Sequence, residues 1–245
     1  MKSKIKFIAL SLAIFAITAC NQEKKTTPVT EAPETNVLVE DVLTKEKQDA
    51  LTPDDVVKNL QEGNVRFTNN DLTQRDLSAQ RRKTISGQFP EAIILSCVDS
   101  RVPVEDVFDR GIGDLFVARV AGNFVNEDIL GSMEYACKVS GSKLVLVLGH
   151  EHCGAVKSTI DDVKLGNITP MLSKIKPALE TVEYEGERTS KNEEFVHMVC
   201  ESNIKNTIDQ IRTQSPILKE MEANGEIKIA GAVYDMDTGK VEWLK

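Results

Sequence analysis

Three short, uninterrupted apolar runs constrain this chain more than any other feature: "EAIILSC" at 91–97, "DLFVARV" at 114–120 and "KLVLVLG" at 143–149. Runs of this length without polar alternation fit strands buried on both faces, as in a parallel sheet. Helical patterns separate them. In "TPDDVVKNLQEGNVRF", Thr52 is a predicted N-cap, Pro53 takes the first helical position, and Val56, Val57, Leu60 and Phe67 make an apolar side. Asn126 caps a second helix, closed by Gly141, and a third follows Gly154 and is expected to stop near Gly166. Thr169–Pro170 opens a fourth, bent or divided at Pro177, and residues 190–214 predict a long helix carrying Phe195, Val199, Ile204, Ile208 and Ile211. "EIKIAGAVYDMDTGKVEWL" reads as a closing strand pair around the turn "DTGK". The alternation predicts an α/β fold, a mostly parallel central sheet flanked by helices.

The N-terminus has a different character. Lys2, Lys4 and Lys6 precede the apolar run "FIALSLAIFAIT", too short to span a membrane comfortably, and small Ala19 precedes Cys20. Residues 1–19 are therefore expected to be an export signal. The ending "ITAC" resembles a bacterial lipobox, which implies acylation of Cys20 and a membrane-anchored lipoprotein on the extracytoplasmic side, in the periplasm or at the cell surface. Residues 20–50, rich in Thr, Glu, Lys and Pro, are expected to form a flexible tether, with a docked helix within 37–50 left open. The folded domain is then expected over 51–245. A net charge of −8 with no basic stripe argues against a nucleic-acid partner.

In parallel sheets, functional sites lie beyond the carboxyl ends of the strands. That rule brings "CVDSR" and "HEHC", far apart in sequence, to one sheet edge. Cys97, His150 and Cys153 then form a soft donor set that favours zinc, and three protein ligands leave a fourth position open. Asp99 and Arg101 follow the first cysteine closely. Alone, such a pair is a surface ion pair of little worth. Beside a metal-bound water, a carboxylate held by a guanidinium stays ionised and accepts a hydrogen bond, or takes the open metal position itself.

"CVDSRVPVE", "GDLFVARVAGN" and "HEHCGA" together closely resemble the β-class carbonic anhydrases, whose signature is C-x-D-S-R followed by H-x-x-C. The resemblance runs from about Pro53 to Leu244, through "GNVRF" and "GAVYDMDTG". It implies the fold of that family and one Zn2+ per chain on Cys97, His150 and Cys153. It also implies reversible hydration of CO2 to bicarbonate and a proton, by attack of zinc-bound hydroxide that Asp99 orients and Arg101 steadies. Gln88, Phe116 and Tyr135 match a substrate pocket of plant-like members. The family further implies a homodimer, or a multiple of dimers, with active sites at the interface and pocket residues from both protomers. A second branch binds regulatory bicarbonate near a tryptophan; Ile94 stands there instead, although Arg119 and Tyr234 fit other places of that branch.

Two alternatives share the same residues: a hydrolase of COS or CS2, and a non-enzymatic zinc-binding lipoprotein. A thiol hydrolase on Cys153 and His152 lacks a third orienting group. His152 reads as a neighbour of the metal turn or a proton relay, and His197 has no partner visible in the sequence. Cys137 and Cys200 read as buried apolar residues, with a disulfide between them permitted by export.

Overall fold

A computed structural model describes residues 38–245. The expected signal, Cys20 and the tether as far as residue 37 lie outside them. The chain runs through α1 (Lys45–Ala50), α2 (Pro53–Thr68), α3 (Leu77–Lys83), β1 (Ala92–Ser96), α4 (Val104–Val107), β2 (Leu115–Arg119) and α5 (Glu127–Glu134). A π turn, Tyr135–Val139, continues α5 and leads to β3 (Leu144–His150). Then come α6 (Gly154–Ile160), α7 (Ile168–Leu172), α8 (Lys176–Thr181), α9 (Glu193–Gln214), α10 (Pro216–Ala223), β4 (Lys228–Tyr234) and β5 (Val241–Trp243).

The sheet order is β2-β1-β3-β4-β5, with the first four strands parallel and β5 antiparallel to β4. Successive side chains on each strand face opposite ways, so two cores form. Ile93, Leu95, Val145, Val147 and Val233 pack with Leu130, Met133, Ile204, Ile208, Ile211 and Leu218 from α5, α9 and α10. Ala92, Ile94, Leu144, Leu146 and Leu148 pack with Val56, Leu60, Val104, Val107 and Phe108 from α2 and α4. Each fully buried aliphatic side chain contributes about 2 kcal/mol of transfer free energy. The approach of α2 to α4 needs a residue without a side chain: a Cβ on Gly63 would lie 1.9 Å from the Phe108 carbonyl oxygen.

Three expectations need correction. Residues 38–50 belong to the fold rather than the tether. Gln48 of α1 is fully buried, and its Nε2 donates to the Pro90 and Ser140 carbonyls, each at 2.8 Å. Val39 pairs backbone to backbone with Arg75, and Gln80 donates to the Asp41 carbonyl. This docking is polar, which is why an apolar pattern does not reveal it. Second, β2 is partly exposed rather than buried on both faces, because among the described residues it is an edge strand bonded only to β1. Third, α6 ends at Ile160, short of Gly166. The separate helix α10, capped by the Ser215 side chain and started by Pro216, lies in a stretch left unassigned from sequence.

Candidate metal centre

The parallel pairing of β1 and β3 matches Ser96 with Leu148, so Cys97 just follows β1 while His150 ends β3. Cys153 arrives three residues later, at the N-cap position of α6. Between the two, His152 holds the left-handed backbone (φ 55°) that turns the chain back toward Cys97. Histidine is among the residues that adopt this region more readily than most. Behind the turn, a Cβ on Gly149 would meet Ile204 Cδ1 at 2.7 Å and Cys200 Sγ at 2.9 Å, so glycine lets α9 lie against the end of β3.

The three donor atoms of Cys97, His150 and Cys153 lie within 4.8 Å of one another, and all three residues are buried. The His150 Nδ1–H donates to the Glu151 carbonyl at 2.8 Å. That bond leaves the lone pair on Nε2, which is buried and has no hydrogen-bond partner among the described residues. An orphaned acceptor of this kind costs about 1–3 kcal/mol unless something else engages it. The neighbouring Cys153 thiol, with the Gly122 N–H, outweighs burial and holds the Cys97 thiol well below its usual range. The same pairing, together with burial, holds Cys153 above the usual thiol range. Soft sulfur donors, one poised as thiolate, and a free imidazole lone pair fit a zinc ion.

Asp99 sits at the edge of this cluster, its Oδ2 3.9 Å from His150 Nε2. The Arg101 guanidinium grips it twice, Nε to Oδ1 at 2.9 Å and Nη2 to Oδ2 at 2.8 Å, and the Arg101 amide adds a bond to Oδ1 at 3.0 Å. Those Arg101 contacts hold the Asp99 carboxyl well below the usual carboxylate range. The carboxylate therefore remains an ionised acceptor beside the metal position.

The expected pocket residues do not converge on this centre within one chain. Phe116 pairs with Ile93, four residues before Cys97 along β1, a separation of about 13 Å by strand rise. Tyr135 stacks edge-on against Phe116 at 6.2 Å, and the two line an open groove beside β2. Gln88 is exposed in another groove before β2, with Thr84, Ile112 and Gly113. Ile94 is fully buried, and Tyr234 is buried against Phe67 with ring centroids 6.4 Å apart. Arg119 reaches under the "CVDSRV" loop and donates to three of its carbonyls.

His197, without a partner visible in the sequence, has two in the fold. Its Nδ1 meets Glu151 Oε1 at 2.5 Å, and its Nε2 lies 3.4 Å from Glu201. Nothing local announces a partner 46 positions away; the packing of α9 across β3 makes the pair. Cys137 and Cys200 are buried free thiols, each pushed up to about 12 by burial.

Comparison with known proteins follows the same direction. A family model described as carbonic anhydrase matches residues 92–241. Carbonic anhydrase 2 of Mycobacterium tuberculosis is 34% identical over 189 residues, which cover 75% of this chain and 88% of that protein. The carbonic anhydrase of Mycolicibacterium smegmatis is 33% identical over 191 residues, covering 76% and 90%. Among solved structures, the β-carbonic anhydrase CcaA superposes with a TM-score of 0.61 at 25% identity, over 76% of this chain and 86% of that one. One of two tetrameric β-carbonic anhydrases from Sordaria macrospora shares the fold, with a TM-score of 0.59 at 22% identity over 77% and 93%.

Proposed function

This chain belongs to the carbonic anhydrase family, in its β class, and from that premise we propose how it works: reversible conversion of CO2 to bicarbonate and a proton at Cys97, His150 and Cys153, in an oligomer anchored by lipid on Cys20. The observation that carries the reaction is the buried, unpartnered His150 Nε2 between two thiols, with an ionised Asp99 at 3.9 Å. Zinc, when bound, supplies Lewis-acid activation of water near neutral pH.

The chain's own residues do the remaining work. Cys97 and Cys153 provide thiolate donors, and the Glu151 carbonyl fixes the His150 tautomer so that Nε2 is the donor atom. Asp99 accepts a hydrogen bond from the reacting water and so orients a lone pair toward the substrate carbon. Arg101 holds Asp99 in that orientation and keeps it charged. The product proton leaves to buffer.

Placement of Gln88, Phe116 and Tyr135 away from their own metal centre supports a pocket completed by a second copy. The open β2 edge, with Tyr135 55% and Val139 70% exposed, supplies an unpaired strand and apolar surface for that contact. The tetrameric Sordaria proteins give precedent for assembly in the fold. The lipid anchor rests on the basic, apolar and "ITAC" segments of the N-terminus.

Metal analysis and stopped-flow hydration on the detergent-solubilised full chain test the reaction, with COS and CS2 assayed on the same sample. About one zinc per chain with rapid CO2 hydration near pH 8 is expected. A zinc-loaded protein inert toward CO2 defeats the reading, and turnover of COS or CS2 alone redirects it. Mass spectrometry of the membrane fraction decides acylation, since an unmodified Cys20 would rule out the anchor.

A further inference from the structure

Arg119 is the last residue of β2, and its side chain crosses beneath the loop between β1 and α4. Nε donates to the Cys97 carbonyl at 2.8 Å, and Nη2 donates to the carbonyls of Asp99 at 2.9 Å and Val102 at 2.7 Å. One planar guanidinium thus spans the loop from the metal donor to its far end. Other hydrogen bonds to the backbone of 98–102 among the described residues arise within the loop: Val102 N–H to the Asp99 carbonyl at 3.3 Å, and Arg101 N–H to the Asp99 carboxylate. Val102 anchors the end of the loop in the core, whereas the stretch that carries Asp99 packs little, with Val98 57% exposed. Asp99 is therefore fixed from two directions, at its carboxylate by Arg101 and at its carbonyl by Arg119.

We propose that Arg119 is a positioning residue for the hydration reaction, holding the three carbonyls of the dyad loop and thereby setting the angle at which Asp99 meets the metal position. The assignment rests on the reaction proposed above. Lysine cannot reproduce it, because a single ammonium lacks the flat fork that reaches all three acceptors. Its Nε and Nη2 are committed to carbonyls, so the role assigned to Arg119 is exerted through the dyad loop and Asp99.

Arg119→Lys and Arg119→Gln in the full-length chain, each zinc-loaded and metal-free, test the idea with three readouts. Hydrogen exchange by mass spectrometry over the loop is expected to quicken by about tenfold or more in both metal states. Zinc content should stay at the parental level while kcat falls by about 10²-fold, with KM for CO2 within about threefold, since misplacement of a positioned group costs the chemical step. Added guanidinium should restore part of kcat in an Arg119→Gly variant. Parental exchange rates in the loop overturn the proposal, as does a fall in kcat matched by equal loss of zinc. If no variant unfolds cooperatively, Arg119 is a folding residue and the proposal fails. Should the parent not hydrate CO2, the reaction falls, while the exchange measurement still decides whether Arg119 holds the loop.

Discussion

Replacing Asp109 by Asn mimics the protonated acid, removing one charge and turning one accepting oxygen into a donor, and the structure says what the carboxylate is worth. The side chain is fully buried and bound by the Arg66 and Arg75 guanidinium groups, with the Thr73 amide and hydroxyl completing its shell. Its backbone is left-handed (φ 47°), a conformation that asparagine accepts as well as aspartate. Burial would raise the carboxyl, but Thr73, Arg66 and Arg75 overcome it and bring the group from 3.8 to about 2. A lowering of that size corresponds to about 2 kcal/mol of folding stability. Because the folded value is the lower one, this stability is present above the unfolded pKa near 4 and is lost as pH falls through 2. Urea unfolding, followed by Trp243 fluorescence, should show the variant less stable by about 2 to 3 kcal/mol at pH 7, with about half that gap at pH 3. Comparison on metal-free protein keeps acid release of zinc out of the difference. A gap under about 0.5 kcal/mol at pH 7, or one unchanged at pH 3, would refute the reasoning.

Asp99→Asn should keep its zinc and lose at least about 10²-fold in kcat, because the amide presents a donor where an acceptor is needed; metal analysis and stopped-flow on one sample check both. Burial opposes charge on His197, yet Glu151, then Glu201 and Glu242, raise its pKa overall. That contribution is complete below the unfolded value near 6.5 and fades as pH rises through the folded one, so His197→Gln should cost more stability near pH 5.5 than near pH 9. The opposite trend in urea titrations would reject it. Val139→Asp places a charge on the exposed end of the π turn that carries Tyr135 and should shift sedimentation toward the monomer while leaving zinc content unchanged.

The central strands were legible because β1 and β3 are buried along their whole length, so burial and apolar character coincide residue by residue. The metal donors are legible for a related reason: the rule for parallel sheets brings "CVDSR" and "HEHC" to one sheet edge. Leu115–Arg119 misleads in degree, since an edge strand keeps an apolar sequence while staying partly exposed in a single chain. Gln48 was hidden by its own chemistry, as its burial is secured by two carbonyl acceptors in a segment of mostly charged neighbours. The roles of His197 and Arg119 depend on side chains crossing between elements, which no local spacing encodes.

Gln48 and the metal donors act on the same pair of strands from opposite ends. The glutamine bridges Pro90 and Ser140, ahead of β1 and β3, while Cys97 and His150 stand where those strands finish. A metal ion across the latter is a crosslink closing 53 residues of chain, and it constrains a pair whose register is already latched at its start. Demetallation therefore unfastens one clasp of two. The hydrogen-bond ladder and Gln48 hold Cys97 and His150 at one sheet edge, so reloading is expected to be a binding event rather than a refolding one.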